Sequence, residues 1–189
     1  MGWSLRQKLR AWLLDRLYHE CAWVYDSVAT LVSRGHWFRW GAALLPWMQA
    51  PILELGCGTG HLQALLAQRQ LTSVGIDRSA AMLARARGLG NFLHADSRQL
   101  PIADACIRTV VAVFPANYIL DQATHAEIER VLCPEGTVVI LLAAGQLALT
   151  HHPLWQALAA RDWHLTAPVL TEAGTPLQVI VGRPHASSQ

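Results

Sequence analysis

The sequence of 189 residues lacks the marks of several large protein classes. Its four cysteines, Cys21, Cys57, Cys106 and Cys133, stand far apart with no CxxC pair, which excludes the usual zinc and disulfide frameworks and points to a reducing, cytoplasmic setting. The formal net charge of +2 is too small to argue for nucleic acid or an acidic partner. No run of about 18 apolar residues is present, so no stable membrane insertion is expected. Charges at Arg6, Lys8, Arg10, Asp15 and Arg16 break up the N-terminus, where a secretory signal needs an uninterrupted apolar stretch. The pair His151 and His152 has no third ligand at a suitable spacing, so it reads as a solvated helix start and no metal site is expected.

What is present is apolar bulk: hydrophobic residues make up 52% of the chain, enough for one sizeable core. From Pro51 onward short apolar runs alternate with helical ones, in the order "PILEL", "HLQALLAQRQ", "TSVGID", "SAAMLARARG", "NFLHAD", "IRTVVAVF", "ATHAEIERVL" and "TVVILLAA". Continuous apolar strands separated by helices predict a doubly wound, Rossmann-like α/β sheet, mostly parallel and covered on both faces. A further helix, "HPLWQALAARD", precedes "WHLTAPVLTEAG" and "TPLQVIVGRP". The turn between these last two is too short for a crossover, so they form an antiparallel hairpin and bring the expected sheet to seven strands.

Residues 1–47 read differently, as an N-terminal helical cap or lid on a core of residues 48–184, with 185–189 a disordered tail. Leu5, Leu9, Trp12, Leu13 and Leu17 share one helical face, and a second helix runs through "CAWVYDSVATLVS" to Gly35. Six of the eight tryptophans, Trp3, Trp12, Trp23, Trp37, Trp40 and Trp47, fall in this segment. A cap packing these rings on the sheet edge accounts for them; peripheral contact with a membrane surface is the alternative.

The stretch "PILELGCGTG", residues 51–60, places Gly56, Gly58 and Gly60 between a strand and a helix, where ligands meet the carboxyl end of a parallel sheet. Residues without a Cβ let the backbone turn sharply and approach a ligand closely. The dinucleotide fingerprint GxGxxG requires glycine at 61, where the chain has His61, and no GK[ST] follows for a P-loop. What remains is ExGxGxG, in which Glu54 can meet an ammonium group beside a backbone with no phosphates to hold.

This pattern resembles the class I S-adenosylmethionine-dependent methyltransferases, over residues from about Tyr25 to Ala143. "LELGCGTG" is similar to the family's first motif, which implies that Glu54, Gly56, Cys57, Gly58 and Gly60 line the methionine moiety of S-adenosylmethionine, with S-adenosylhomocysteine as product. "GIDRS" resembles the second, so Asp77 would accept the ribose hydroxyls, a task suited to a carboxylate's two oxygens. Arg78 and Met82 match positions against adenine, while "HADSRQLP" resembles the third-strand motif and implies that Asp96 and the Ser97 backbone contact the adenine edge. "EIERVLCPEGTVVI" is similar to the family's helix-turn-strand, with Glu135 in place of a glycine. The segment "AWVYDSVATLVSRGHWFRW" resembles the part preceding the first motif in ubiquinone/menaquinone-biosynthesis C-methyltransferases and their small-molecule relatives, which implies that Tyr25 closes on the methionine end.

The end of the fourth strand, "VFPANYILD", lacks the [DN]PP[YF] motif of amino-methylating enzymes, since Phe114 stands at the acid or amide position. Phe114, Pro115, Asn117 and Tyr118 are therefore candidates for an acceptor wall, Phe114 also lying beside the cofactor, with Tyr118 or His36 as proton acceptors. The expected partner is a small apolar or aromatic acceptor, taken up by a monomer or homodimer. A protein of the same fold that binds the cofactor without turnover is the other reading, because folds do not fix function.

Overall fold

The computed structural model describes residues 36–86, 88 and 90–185, with the backbone alone at Trp37. Tyr25, both helices expected before Gly35 and the tail from Ala186 lie outside the described residues. Within them, α1 (Trp37–Ala42) precedes β1 (Ile52–Leu55), α2 (His61–Gln68), β2 (Ser73–Asp77), α3 (Ala80–Ala86), β3 (Phe92–His94) and β4 (Ile107–Val113). After these come α4 (Gln122–Val131), β5 (Leu132–Ala144), α5 (Pro153–Ala159), β6 (His164–Thr166), β7 (Val169–Glu172) and β8 (Thr175–Arg183). β1 to β5 pair in parallel and β8 returns antiparallel to β5, giving the order β3-β2-β1-β4-β5-β8-β6 with β7 also on β8. This is the mostly parallel sheet with a reversed C-terminal hairpin that the sequence predicts.

The sheet has eight strands, however, where seven runs were expected. The run "WHLTAPVLTE" divides into β6 and β7 around Ala167 and Pro168, because proline has no N–H to give to the ladder. The register is the same on both sides of the break: Thr166 pairs with Val181 and Val169 with Gln178. β5 also begins earlier than expected. Leu132 already pairs with Ile107, and the residues around Glu135 bulge before pairing resumes at Thr137.

Strand residues alternate between two cores, as a pleat with both faces covered requires. Leu53, Leu55, Val110, Ala112, Val138 and Ile140 pack with Ile128 and Val131 of α4 and Leu154 and Leu158 of α5. Ile52, Val111, Val139, Leu141 and Val179 pack on the opposite face with Trp40 and Leu44 from the α1 region and Leu62 and Leu66 of α2. The described segment between β3 and β4 contains no helix. Its place is taken by a loop that Arg130 of α4 fastens through the carbonyls of Leu100 and Ile102 and the carboxylate of Asp104, while Glu127 of the same helix, paired with Arg130, accepts from the Leu100 amide. β1 and β4 lie side by side at the centre, and the chain leaves them toward opposite edges, which opens a crevice at their carboxyl ends.

Candidate functional site

β1 is buried along its whole length, so the glutamate at its third position is carried into the interior by an apolar strand. Glu54 is only 4% exposed. Burial pushes its carboxyl up to about 8, a hydrogen bond from Gln63 works against that rise, and the charge of Asp77 adds to it. The glycine turn follows at once, with φ of 70°, 53° and 80° at Gly56, Gly58 and Gly60, all in the region that side chains disfavour. The three positions differ in what surrounds them. A Cβ at Gly56 would stand 2.5 Å from the Tyr118 hydroxyl, and one at Gly60 would stand 2.6 Å from the Phe92 ring. At Gly58 it would meet nothing within 4 Å, so here the backbone is bare toward open space.

Asp77 ends β2 and ties the turn down. One carboxylate oxygen accepts from the Gly58 amide at 2.8 Å and the other from the Ser79 amide at 2.7 Å. The expected ligand position is thus also the cap of the segment leading into α3. Cys57 is buried, and the same burial drives its thiol far above the usual range, which leaves it an inert wall residue.

A cleft of 290 Å³ opens beside the turn. Glu54, Gly56, Cys57, Gly58 and Thr59 form one wall, His61, Leu62 and Leu65 of α2 another, and Phe38, Arg39, Gly41 and Ala42 of α1 cover it, with Val113 at the end of β4. The rings of Phe38 and His61 meet at 4.0 Å, and Arg39 pairs with Glu172 of β7 at 2.9 Å. Sequence reasoning missed Phe38, Arg39, Thr59, His61 and Val113 as cleft residues. Phe38 and His61 stand on separate helices 23 positions apart and carry no local signal; only the packing of α1 over α2 brings them together.

The remaining expected residues are not among those lining this cleft. Phe114 takes a φ of 48°, rare for an aromatic residue, and packs edge-on against Trp40 at 5.9 Å. Pro115 is half-buried and Asn117 exposed on the turn that follows. Met82 is buried on α3, Arg78 is exposed, and the Arg78 carbonyl bonds the His94 ring at 2.9 Å. Asp96, just past β3, accepts from the backbone and guanidinium of Arg98, while Ser97 is buried with its hydroxyl 3.3 Å from that of Thr124.

The two candidate proton acceptors have defined surroundings. The Tyr118 hydroxyl donates to the Leu55 carbonyl at 2.8 Å, so the phenol acts as a tether between the β4 loop and the end of β1. His36 precedes α1 and is not among the residues lining the cleft; its Nδ1 is buried without a hydrogen-bond partner among the described residues. Among the described residues no group of three or more metal-ligating side chains converges, and no described helix is long and apolar enough to cross a membrane.

The residues present fit S-adenosylmethionine: a buried carboxylate reaches the cleft beside a bare glycine backbone, and a second carboxylate stands at the adjacent strand end. A family described as a methyltransferase domain matches residues 52–136. The chain is 30% identical over 176 residues to the 2-phytyl-1,4-naphtoquinone methyltransferase of Thermosynechococcus vestitus, covering 85% of this chain and 75% of that protein. It is 31% identical over 149 residues to the ubiquinone/menaquinone biosynthesis C-methyltransferase UbiE of Rubrivivax gelatinosus, covering 73% and 59%. The chain spans between about two fifths and three quarters of the length of the curated relatives it matches. A solved Thermotoga maritima S-adenosylmethionine-dependent methyltransferase, described as a possible histamine N-methyltransferase, superposes with a TM-score of 0.65 at 15% identity, over 91% of this chain and 100% of that one. The glycine turn, the acids at successive strand ends and these relationships together place the chain among the class I S-adenosylmethionine-dependent methyltransferases.

Proposed function

We propose that this protein transfers the sulfonium methyl group of S-adenosylmethionine to a small apolar or aromatic molecule by in-line displacement. The observation that carries the reading is the juxtaposition of Glu54, the Gly56–Gly58 backbone and Asp77 at one sheet end, opening into a cleft walled by Phe38, Leu62, Leu65 and Val113.

When bound, the cofactor supplies a methyl carbon already activated by positive sulfur, so the protein has mainly to align the acceptor and exclude water. Glu54 receives the ammonium group. Asp77 holds the ribose hydroxyls on the lone pairs left beside its two backbone bonds, since each carboxylate oxygen accepts more than one donor. Met82, Arg78, Asp96 and Ser97 lie on the adenine side. Phe38, Ala42, Leu62, Leu65 and Val113 of the cleft, with Phe114, Pro115 and Asn117 on the turn after β4, bound the acceptor, and the apolar side chains lining the cleft support an apolar or aromatic ring there.

The test is calorimetric titration with S-adenosylmethionine and S-adenosylhomocysteine, with NAD as control and Asp77→Ala alongside, followed by a methyl-transfer screen over phenols, quinols and carboxylic acids. Binding that Asp77→Ala abolishes, with turnover on a ring-bearing acceptor, is expected. Binding with no turnover across the panel would make the chain a sensor or assembly partner instead.

A further inference from the structure

A fully buried glutamine demands a reason, because its amide loses water on both ends and packing alone is served as well by leucine. Gln63 is such a residue, at 0% exposure on the inner face of α2. Its Nε2 donates to Glu54 Oε2 at 2.9 Å, and its Oε1 accepts from the Ser73 hydroxyl at 3.0 Å. The two bonds fix the amide in one orientation. With its oxygen engaged by Ser73, the N–H group faces Glu54, the partner that an acceptor-only carboxylate requires.

The surrounding backbone is hollowed to admit this chain of contacts. Glu54 lies in register with Gly75 on β2. A Cβ at Gly75 would stand 2.9 Å from Gln63 Cγ, and one at Gly90 would stand 3.1 Å from Gln63 Cβ. Two missing side chains thus make the passage through which Gln63 reaches β1.

We propose that Gln63, oriented by Ser73, is a positioning residue that holds the Glu54 carboxylate toward the cleft for capture of the cofactor's ammonium group. The inference rests on the cofactor reading above. It adds a residue pair outside the glycine motif, the buried Gln63 and the half-buried Ser73, neither of which lines the cleft. The charged and titratable groups facing Glu54 are Asp77 of β2 and Cys57 of the turn, with His61 of α2 and Arg39 of α1 across the cleft. Burial favours the neutral acid, and the Gln63 bond is the contact that favours the ionised form. Loss of that bond therefore moves the ionisation of Glu54 to higher pH.

The test is calorimetric titration of the whole chain with S-adenosylhomocysteine between pH 6 and 9, comparing wild type, Gln63→Leu, Ser73→Ala and Glu54→Gln. Affinity in the wild type is expected to rise with pH as Glu54 ionises. Gln63→Leu should bind about tenfold more weakly at pH 7 and shift the midpoint of that rise upward by about one unit. Ser73→Ala should shift it in the same direction by less, and carries the test if Gln63→Leu does not fold. Glu54→Gln should remove the pH dependence. A lowered melting temperature in Gln63→Leu with affinity and midpoint unchanged would overturn the proposal and leave Gln63 a packing residue. A wild type that binds at no pH would overturn the cofactor reading itself, and this inference with it.

Discussion

The Asp77 carboxylate accepts the Gly58 amide at 2.8 Å, joining the end of β2 to the middle of the glycine turn across 19 residues. The same side chain accepts from Ser79, so one group shapes both the turn and the start of α3. Asp77→Asn retains the size but places an amide where acceptors are needed. We expect a loss of about 1.5–3 kcal/mol in stability from charge-assisted bonds, together with at least tenfold weaker cofactor binding, read by thermal melts and calorimetry.

Gly58 and Gly60 separate ligand approach from packing. A methyl group at Gly58 meets no protein atom, whereas one at Gly60 runs into the Phe92 ring. Gly58→Ala should therefore impair cofactor binding more than stability, with only the cost of a left-handed alanine, about 1 kcal/mol. Gly60→Ala should show the larger fall in melting temperature, from strain plus overpacking of about 2–4 kcal/mol. Equal effects of the two on binding would contradict the assignment.

Glu54 sets a pH dependence of known sign. Its carboxyl is raised from 4.5 to about 8 by burial, so between those values the folded protein holds a proton that the unfolded chain has released. Cofactor-free stability falls as pH rises through this window. Asp121 and Glu127, held low by hydrogen bonds from Arg98 and Arg130, titrate below it and do not mask the slope. Melting curves from pH 5 to 8 should show the decline in wild type and its absence in Glu54→Gln.

Tyr118 secures the underside of the turn. Tyr118→Phe removes its bond to the Leu55 carbonyl at 2.8 Å while keeping the ring in the core, for a cost of about 1 kcal/mol. If the phenol is a tether and not a base, methyl transfer should lose no more than a few-fold and its pH profile should not move. A loss of several orders of magnitude would restore Tyr118 as a proton acceptor.

Arg130 stands in for the helix that the segment between β3 and β4 does not form. It contacts Leu100, Ile102, Asp104 and Glu127 within 3.0 Å. Arg130→Ala should expose this loop, which limited proteolysis would detect as new cleavage near residues 100–105, at a temperature where the fold as a whole persists.

Much of this architecture is legible locally. Apolar runs four to eight residues long, their alternation with helices, the alternate glycines and the acids at strand ends follow from backbone periodicity and from which residues tolerate positive φ, and both are properties of neighbouring residues. They marked Glu54 and the reversed hairpin, whereas Asp77 was marked by the resemblance to a known family. The strand break at Pro168 was not expected, because the run reads as one strand, and whether proline ends a strand or merely interrupts one depends on the partner: β8 keeps β6 and β7 in a single register. Other features were decided only in three dimensions. Gln63 and Ser73 read as ordinary helix and strand residues until the β1–β2 register sets Gly75 beside Glu54 and opens the space between them. Phe38 and Arg39 become cleft residues only through the packing of α1 over α2, and Arg39 meets Glu172 only because the sheet brings β7 to that end. The sequence by itself determined the turn and the order of the strands, through local sterics and hydrophobic period; register and packing decided which distant side chains share the cleft, because those contacts exist only once the sheet has closed.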